Sequence, residues 1–150
     1  MSNIVITAAK RSPIGKFLGG LSSLSAPELG KLCIAAVMEH SKIPKDIVDE
    51  IIMGQVLTGG SGQNPARQSS ILAGIPEEKS ALTINQVCGS GLRAISIGAQ
   101  SIISGQSEIV IAGGQESMSN AHHTSNLRNG LKMGNGELKD SQSIDPSPSF

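Results

Sequence analysis

Tryptophan and tyrosine are absent from this 150-residue chain, and its only aromatic residues are Phe17 and Phe150. Recognition that stacks bases on exposed rings, or seats a peptide in an aromatic-lined groove, has almost nothing to work with. Charge of one sign is lacking too. Twelve Lys and Arg balance twelve Asp and Glu, so no global field draws the chain to nucleic acid or to an anionic membrane. No apolar run approaches the roughly eighteen residues of a membrane span. Met1-Ser2-Asn3-Ile4 shows neither a basic leader nor a long apolar core, which argues against a secretory signal. Cysteine is confined to Cys33 and Cys88, with no CxxC pair. That usage fits a reducing compartment and a cytoplasmic location better than a disulfide-stapled fold.

What is present is small residues and short elements. Eighteen glycines imply tight turns and close backbone approaches. Ile4-Val5-Ile6-Thr7-Ala8-Ala9 reads as a first strand covered on both sides. Ser25-Ala26-Pro27-Glu28 has the spacing of a capping box, and Leu29, Leu32, Cys33, Ala36 and Val37 recur on one face of the helix that follows. Cys33 is thereby assigned to a core. A short segment begins at Pro44, and a strand is expected over 50–56. A helix follows from Pro65 to Ala73, stopping at Gly74 and Pro76, and a further strand covers 81–85. Leu92, Ile95, Ile97, Ala99, Ile102 and Ile103 make the next helix apolar around much of its girth, as in a buried central helix. A last strand is expected over 108–112, ending at Gly113-Gly114. Strands alternating with helices predict an α/β layered sheet. Beyond about residue 119 the chain turns polar and rich in Gly and Asn. Its final stretch, Ser141 to Phe150, reads as a disordered tail.

The chemistry concentrates at Asn85-Gln86-Val87-Cys88-Gly89-Ser90-Gly91, between a strand and a helix. A cysteine at a helix N-terminus gains from unpaired backbone donors and the positive end of the dipole. The same N–H groups can hold a developing oxyanion. Gly89 and Gly91 leave room for an acyl group, and Ser90 suits a cap. From these residues alone, Cys88 fits either a nucleophile or a small buried side chain. Arg67 fits a loop-orienting role or a solvated helix surface, and Glu116 fits an active-site rim or a loop brace. Gly15-Lys16 fails as a phosphate loop, because Lys10 stands where the first Gly belongs and Phe17 where Ser or Thr belongs. No Gly-x-Gly-x-x-Gly run follows the first strand. His122 and His123 are adjacent and lack an ordered set of Cys, Asp or Glu neighbours, so no metal site is expected.

Several segments together resemble a thiolase of the acetyl-CoA acetyltransferase class. They are Arg11-Ser12-Pro13-Ile14-Gly15-Lys16-Phe17, Gly54-Gln55-Val56-Leu57, Gly62-Gln63-Asn64-Pro65-Ala66-Arg67-Gln68, Asn85 to Leu92, Gly113-Gly114-Gln115-Glu116-Ser117-Met118-Ser119, and Lys132-Met133-Gly134. The resemblance implies a layered α/β/α/β/α fold made of two similar halves, of which this chain resembles the first. Residues 1–119 then form the α/β core, 120–140 begin a loop domain, and 141–150 diverge from the pattern.

The resemblance further implies Cys88 as the acylated nucleophile and Arg67 in support, and Asn85, Gly89, Ser90 and Glu116 are the other supporting candidates. Arg67 braces the site rather than moving protons. The substrates implied are acetyl-CoA and acetoacetyl-CoA, with coenzyme A as a thioester substrate, no prosthetic group, and a homodimer or homotetramer. The family's activating histidine and second cysteine belong to a C-terminal half, and His40, His122 and His123 match neither. The expectation is therefore a retained nucleophile without turnover in the 150-residue chain, with an open sheet edge and uncovered apolar faces. The readings weighed against this one are another thiolase-like condensing enzyme, such as a ketoacyl synthase, and a non-catalytic remnant or interaction protein.

Overall fold

Parallel strands cannot be joined by tight turns, so each step between strands of the main sheet passes through a helix. The computed structural model describes residues 4–143. The elements are α1 (Ala26–Ser41), β1 (Glu50–Gly54), α2 (Pro65–Leu72), β2 (Ser80–Ile84), α3 (Ser90–Ile103) and β3 (Val110–Gly114), followed by a two-residue ribbon of β4 (His123–Thr124) and β5 (Lys139–Asp140). The sheet order is β2-β1-β3, all parallel, with Ile52 opposite Leu82 and Ala112.

Side-chain alternation in β1 sorts the helices onto two faces. Ile51 and Met53 join Ile34, Met38, Ala66, Ala73 and Ile111 in the core under α1 and α2. Ile52 and Gly54 face the other way, where Gly54 lies against Ser90 at the start of α3 and Gly98 lies over Val110 and Ala112. The described residues thus form three layers, α/β/α. α1 starts at the expected capping box: Ser25 Oγ accepts the Glu28 N–H, and the Glu28 carboxylate accepts the Ser25 N–H at 2.7 Å. The hydroxyl of Ser25 and then its N–H hold the Glu28 carboxyl below the ordinary glutamate value.

Four sequence expectations are corrected. Residues 4–9 form no strand, and Val5 and Ile6 are 73% and 78% exposed. An apolar run becomes a strand only when a neighbour accepts its backbone hydrogen bonds, and no described strand lies beside it. The buried stripe of α1 is Ala26, Pro27, Gly30, Ile34 and Met38, one position away from the expected set, leaving Leu32 exposed and Cys33 half-buried. Small residues of α3, namely Ser90, Ala94, Gly98 and Ser101, face the sheet, while Leu92, Ile95 and Ile103 are exposed. The helix is therefore not buried all round. β3 runs 110–114 rather than 108–112, because the Asp49 carboxylate takes the Glu108 and Ile109 N–H groups at 2.7 and 3.0 Å before the ladder begins. Residues 141–143 make a turn in which Gln142 Nε2 donates to the Met118 carbonyl at 2.9 Å. The rest of the expected tail, 144–150, lies outside the described residues.

Candidate active site at the carboxyl ends of the strands

A parallel sheet brings the carboxyl ends of all its strands to one edge, the usual place for an α/β site. Here that edge carries Gln55-Val56-Leu57 after β1, Asn85 to Cys88 after β2, and Gln115-Glu116 after β3. The ladder runs one residue past the strands, with Gln55 N–H donating to the Ile84 carbonyl at 3.0 Å and Gln115 N–H to the Gly54 carbonyl at 2.9 Å.

Cys88 is a free, exposed thiol on the turn between β2 and α3. The turn is held by short bonds. Val87 N–H donates to Asn85 Oδ1 at 2.9 Å and Gln86 N–H to Ser90 Oγ at 2.8 Å, while Ser90 Oγ donates to the Val87 carbonyl at 2.6 Å. These bonds keep Val87 at φ 49°, a left-handed conformation that costs a β-branched residue about 1–3 kcal/mol. Gly89 is the N-cap of α3 and offers no side-chain cap. Among the described residues, the N–H groups of Cys88, Gly91 and Leu92 find no acceptor. A nucleophile therefore stands beside backbone donors and the positive end of a 14-residue helix. Gly91 packs over Gly114, where a Cβ added to Gly114 would meet the Gly91 Cα at 3.3 Å.

The candidate supporting residues separate into two groups. Asn85, Ser90 and Glu116 belong to the corner or its brace. Glu116 accepts the N–H groups of Val56 at 2.8 Å and Leu57 at 3.4 Å. Arg67 lies elsewhere: its guanidinium donates to the carbonyls of Lys79 at 2.8 Å and Glu77 at 2.6 Å, pinning the turn that leads into β2. His123 sits in the β4–β5 ribbon and His122 packs on Gly60. No cluster of His, Cys, Asp and Glu among the described residues could hold a metal. No described helix is long and apolar enough to cross a membrane. A cleft of about 410 Å³ runs along β2 between Asn64-Pro65 and Leu82 to Asn85, and Cys88 does not line it.

Composition gives no warning of a buried amide chain behind the site. Ser69 Oγ donates to Gln115 Oε1 at 2.5 Å, Gln115 Nε2 to Gln55 Oε1 at 2.9 Å, and Gln55 Nε2 to the Leu57 carbonyl at 3.1 Å. All three residues are buried, and a buried polar network of this kind is favourable only when its members are satisfied. One signal in the sequence could have found it: Gln follows Gly at the ends of two strands, as Gly54-Gln55 and Gly114-Gln115.

A parallel sheet with helices on both faces and an exposed cysteine at a strand-to-helix corner defines an α/β layered scaffold. The family model for the thiolase N-terminal domain matches residues 4–146, and the chain belongs to that family. It is 53% identical over 142 residues to the probable acetyl-CoA acetyltransferase of Escherichia coli, covering 94% of this chain and 36% of that protein. It is 50% identical over 146 residues to the acetyl-CoA acetyltransferase of Cupriavidus necator, covering 97% and 37%. The acetyl-CoA acetyltransferase of Pseudomonas aeruginosa is 50% identical over 142 residues, covering 94% and 36%. The chain thus spans little more than a third of the length of the curated relatives it matches.

Proposed function

We propose that this chain carries the acyl-accepting nucleophile of an acetyl-CoA acetyltransferase. The observation that supports it most directly is the exposed Cys88 thiol at the braced β2–α3 corner, beside N–H groups without acceptors. The step these residues serve is a thioester exchange. Cys88 sulfur attacks the acetyl carbonyl of acetyl-CoA, and the helix-entrance donors stabilise the oxyanion. With acetyl-CoA, the bond between the carbonyl carbon and the CoA sulfur breaks, and the proton lost by Cys88 leaves with CoA. Acetyl-Cys88 and free CoA are the products.

In the whole enzyme, two acetyl-CoA interconvert with acetoacetyl-CoA and CoA through this intermediate. The 1–119 core and the loop region from 120 to 140 contribute its first portion, and the enzyme assembles as a homodimer or homotetramer in the cytoplasm. The free edge of β2 and the exposed apolar face of α3 favour such assembly. The described residues give Cys88 donors but no side-chain hydrogen bond, so the reaction they support in this chain is a single acylation.

The test is incubation with acetyl-CoA followed by intact-mass and peptide analysis. The chain should gain one acetyl group on Cys88, with Cys33 unmodified and the Cys88→Ala variant inert. Equal modification of both cysteines, or none, would overturn the assignment.

A further inference from the structure

We propose that Glu116 is a positioning residue for Cys88, acting through the Val56–Leu57 peptide and Asn85; the consequence for catalysis rests on the acyl-transfer reading above. In a trans peptide the carbonyl of one residue and the N–H of the next point in opposite directions. The Glu116 carboxylate takes the Leu57 N–H at 3.4 Å from one side of this peptide, together with the Val56 N–H at 2.8 Å. The Val56 carbonyl, turned the other way, accepts Asn85 Nδ2 at 3.3 Å and the Thr58 N–H at 3.2 Å. Asn85 in turn uses Oδ1 to accept the Val87 N–H at 2.9 Å, and Val87 is the left-handed residue that precedes the nucleophile. One peptide plane is thus clamped between a carboxylate and an amide, and the amide holds the nucleophile's neighbour.

A carboxylate is suited to this work. Two successive N–H groups converging on one acceptor form a small anion-binding concavity, and a charged acceptor makes the stronger bonds. The role is distinct from that of the buried amide chain, which fixes the Gln55 side chain from below through Gln115 and Ser69. Glu116 instead holds the N–H side of this peptide and, together with the Thr58 N–H on the carbonyl, sets the direction of the Val56 carbonyl and through it the rotation of the Asn85 side chain. Loss of Glu116 frees the peptide to turn, after which Asn85 no longer holds Val87 and the backbone donors around Cys88 lose their alignment.

Amide hydrogen exchange, acetyl transfer from acetyl-CoA and alkylation by iodoacetamide on the full chain test the relay together. In Glu116→Ala the amides of Val56, Leu57 and Val87 should exchange about tenfold faster, with those of Ile34 and Met38 in α1 unchanged. In Asn85→Ala the Val87 amide should lose protection while Val56 and Leu57 keep theirs. Acetylation of Cys88 should slow about tenfold in both variants, whereas alkylation, which needs no oriented carbonyl, should change less than about twofold. Glu116→Gln, which keeps one acceptor, should fall between wild type and Glu116→Ala, and it decides the matter if Glu116→Ala unfolds.

An unchanged Val87 amide in the Glu116 variants would overturn the proposal, as would acetylation and alkylation slowing in parallel. If the wild-type chain is not acetylated, the acyl-transfer reading fails, and the exchange pattern at Val87 still decides the positioning role.

Discussion

Gly54 is the point at which the sheet and the nucleophile's helix touch backbone to backbone, and Gly54→Ala is the sharpest test of that packing. A Cβ built on Gly54 would lie 2.5 Å from the Ser90 carbonyl carbon, 2.6 Å from Ser90 Cβ and 2.7 Å from the Gly91 nitrogen. Ordinary carbon contacts begin near about 3.5 Å, so the first turn of α3 must retreat by about 1 Å. Two of the three atoms are backbone, and no rotamer change relieves them. Overpacking of this kind costs about 1–3 kcal/mol, offset by about 0.5–1 kcal/mol because alanine is less costly than glycine to order in a strand. Because backbone atoms cannot yield, the upper end of about 3 kcal/mol applies, and the expected net destabilisation is about 2 kcal/mol, read as a lower urea midpoint at neutral pH.

The same displacement carries a functional expectation. A misplacement of about 1 Å near reacting groups can cost about a hundredfold in rate, so acetylation of Cys88 should fall by that order even where Gly54→Ala remains folded. Gly98→Ala is the control. It lies in the same helix–sheet contact, but its added Cβ meets a side chain, Val110 Cγ1, at 3.0 Å. The gain of about 1 kcal/mol in helix propensity offsets the crowding, and its stability should stay within about 1 kcal/mol of wild type. A Gly54→Ala chain as stable as wild type, or equal losses in the two variants, would refute the argument that a backbone contact sets the position of α3.

Two further expectations concern the opposite end of the sheet and the nucleophile turn. The N–H groups of Ile109 and Glu108 hold the Asp49 carboxyl below its ordinary value of 3.8. A depressed folded-state value means that its contribution is complete above the unfolded value and is lost as pH falls through the folded one. Asp49→Asn should therefore cost about 1 kcal/mol at pH 7, discounted for a half-exposed site, and should flatten the fall in urea midpoint below about pH 4; an undiminished acid slope would exclude this role. Val87→Gly should gain about 1 kcal/mol, since it removes left-handed strain of about 1–3 kcal/mol at an entropic cost of about 0.5–1 kcal/mol. Val87 is 64% exposed, so little burial is lost, and a destabilised Val87→Gly in urea titration would show that the turn is unstrained.

The elements legible in the sequence are those whose ends are chemically marked. α1 opens on the Ser25–Glu28 capping box, while α2 opens on Asn64-Pro65 and stops before Gly74. Such marks act locally and need nothing from the rest of the chain. What escaped the reading depends on partners distant in sequence. Residues 4–9 carry the apolar continuity of a strand, but strand formation is settled by a neighbour. In α1 and α3, hydrophobicity pointed to the large side chains, yet helices come close to a sheet or to one another where side chains are small. Gly30 lies against the Gln115 side chain, and Gly98 lies over Val110. Size complementarity, invisible to a periodicity of apolar residues, turned the stripe of α1 by one position and left the apolar side of α3 outward.

At the site, the local chemistry of Cys88 could be read from seven residues, because the turn, cap and helix entrance are contiguous. Its support could not. Glu116 reaches Val56 across 60 positions, and Gln115 reaches Gln55 across the same span. Both separations follow from one fact of topology: β1 and β3 are adjacent and parallel, so residues just past their ends meet however much chain lies between them. The register that pairs Gly54 with Gly114 also pairs Gln55 with Gln115 and places Glu116 beside Val56. The two Gly-Gln steps are therefore a single structural device written twice. Each glycine admits the start of α3 or its neighbour, and each glutamine fills the buried space beyond. A cysteine corner built on this edge inherits its position from the parallel register itself, so a change in how β1 meets β3 is transmitted to Cys88 without touching β2.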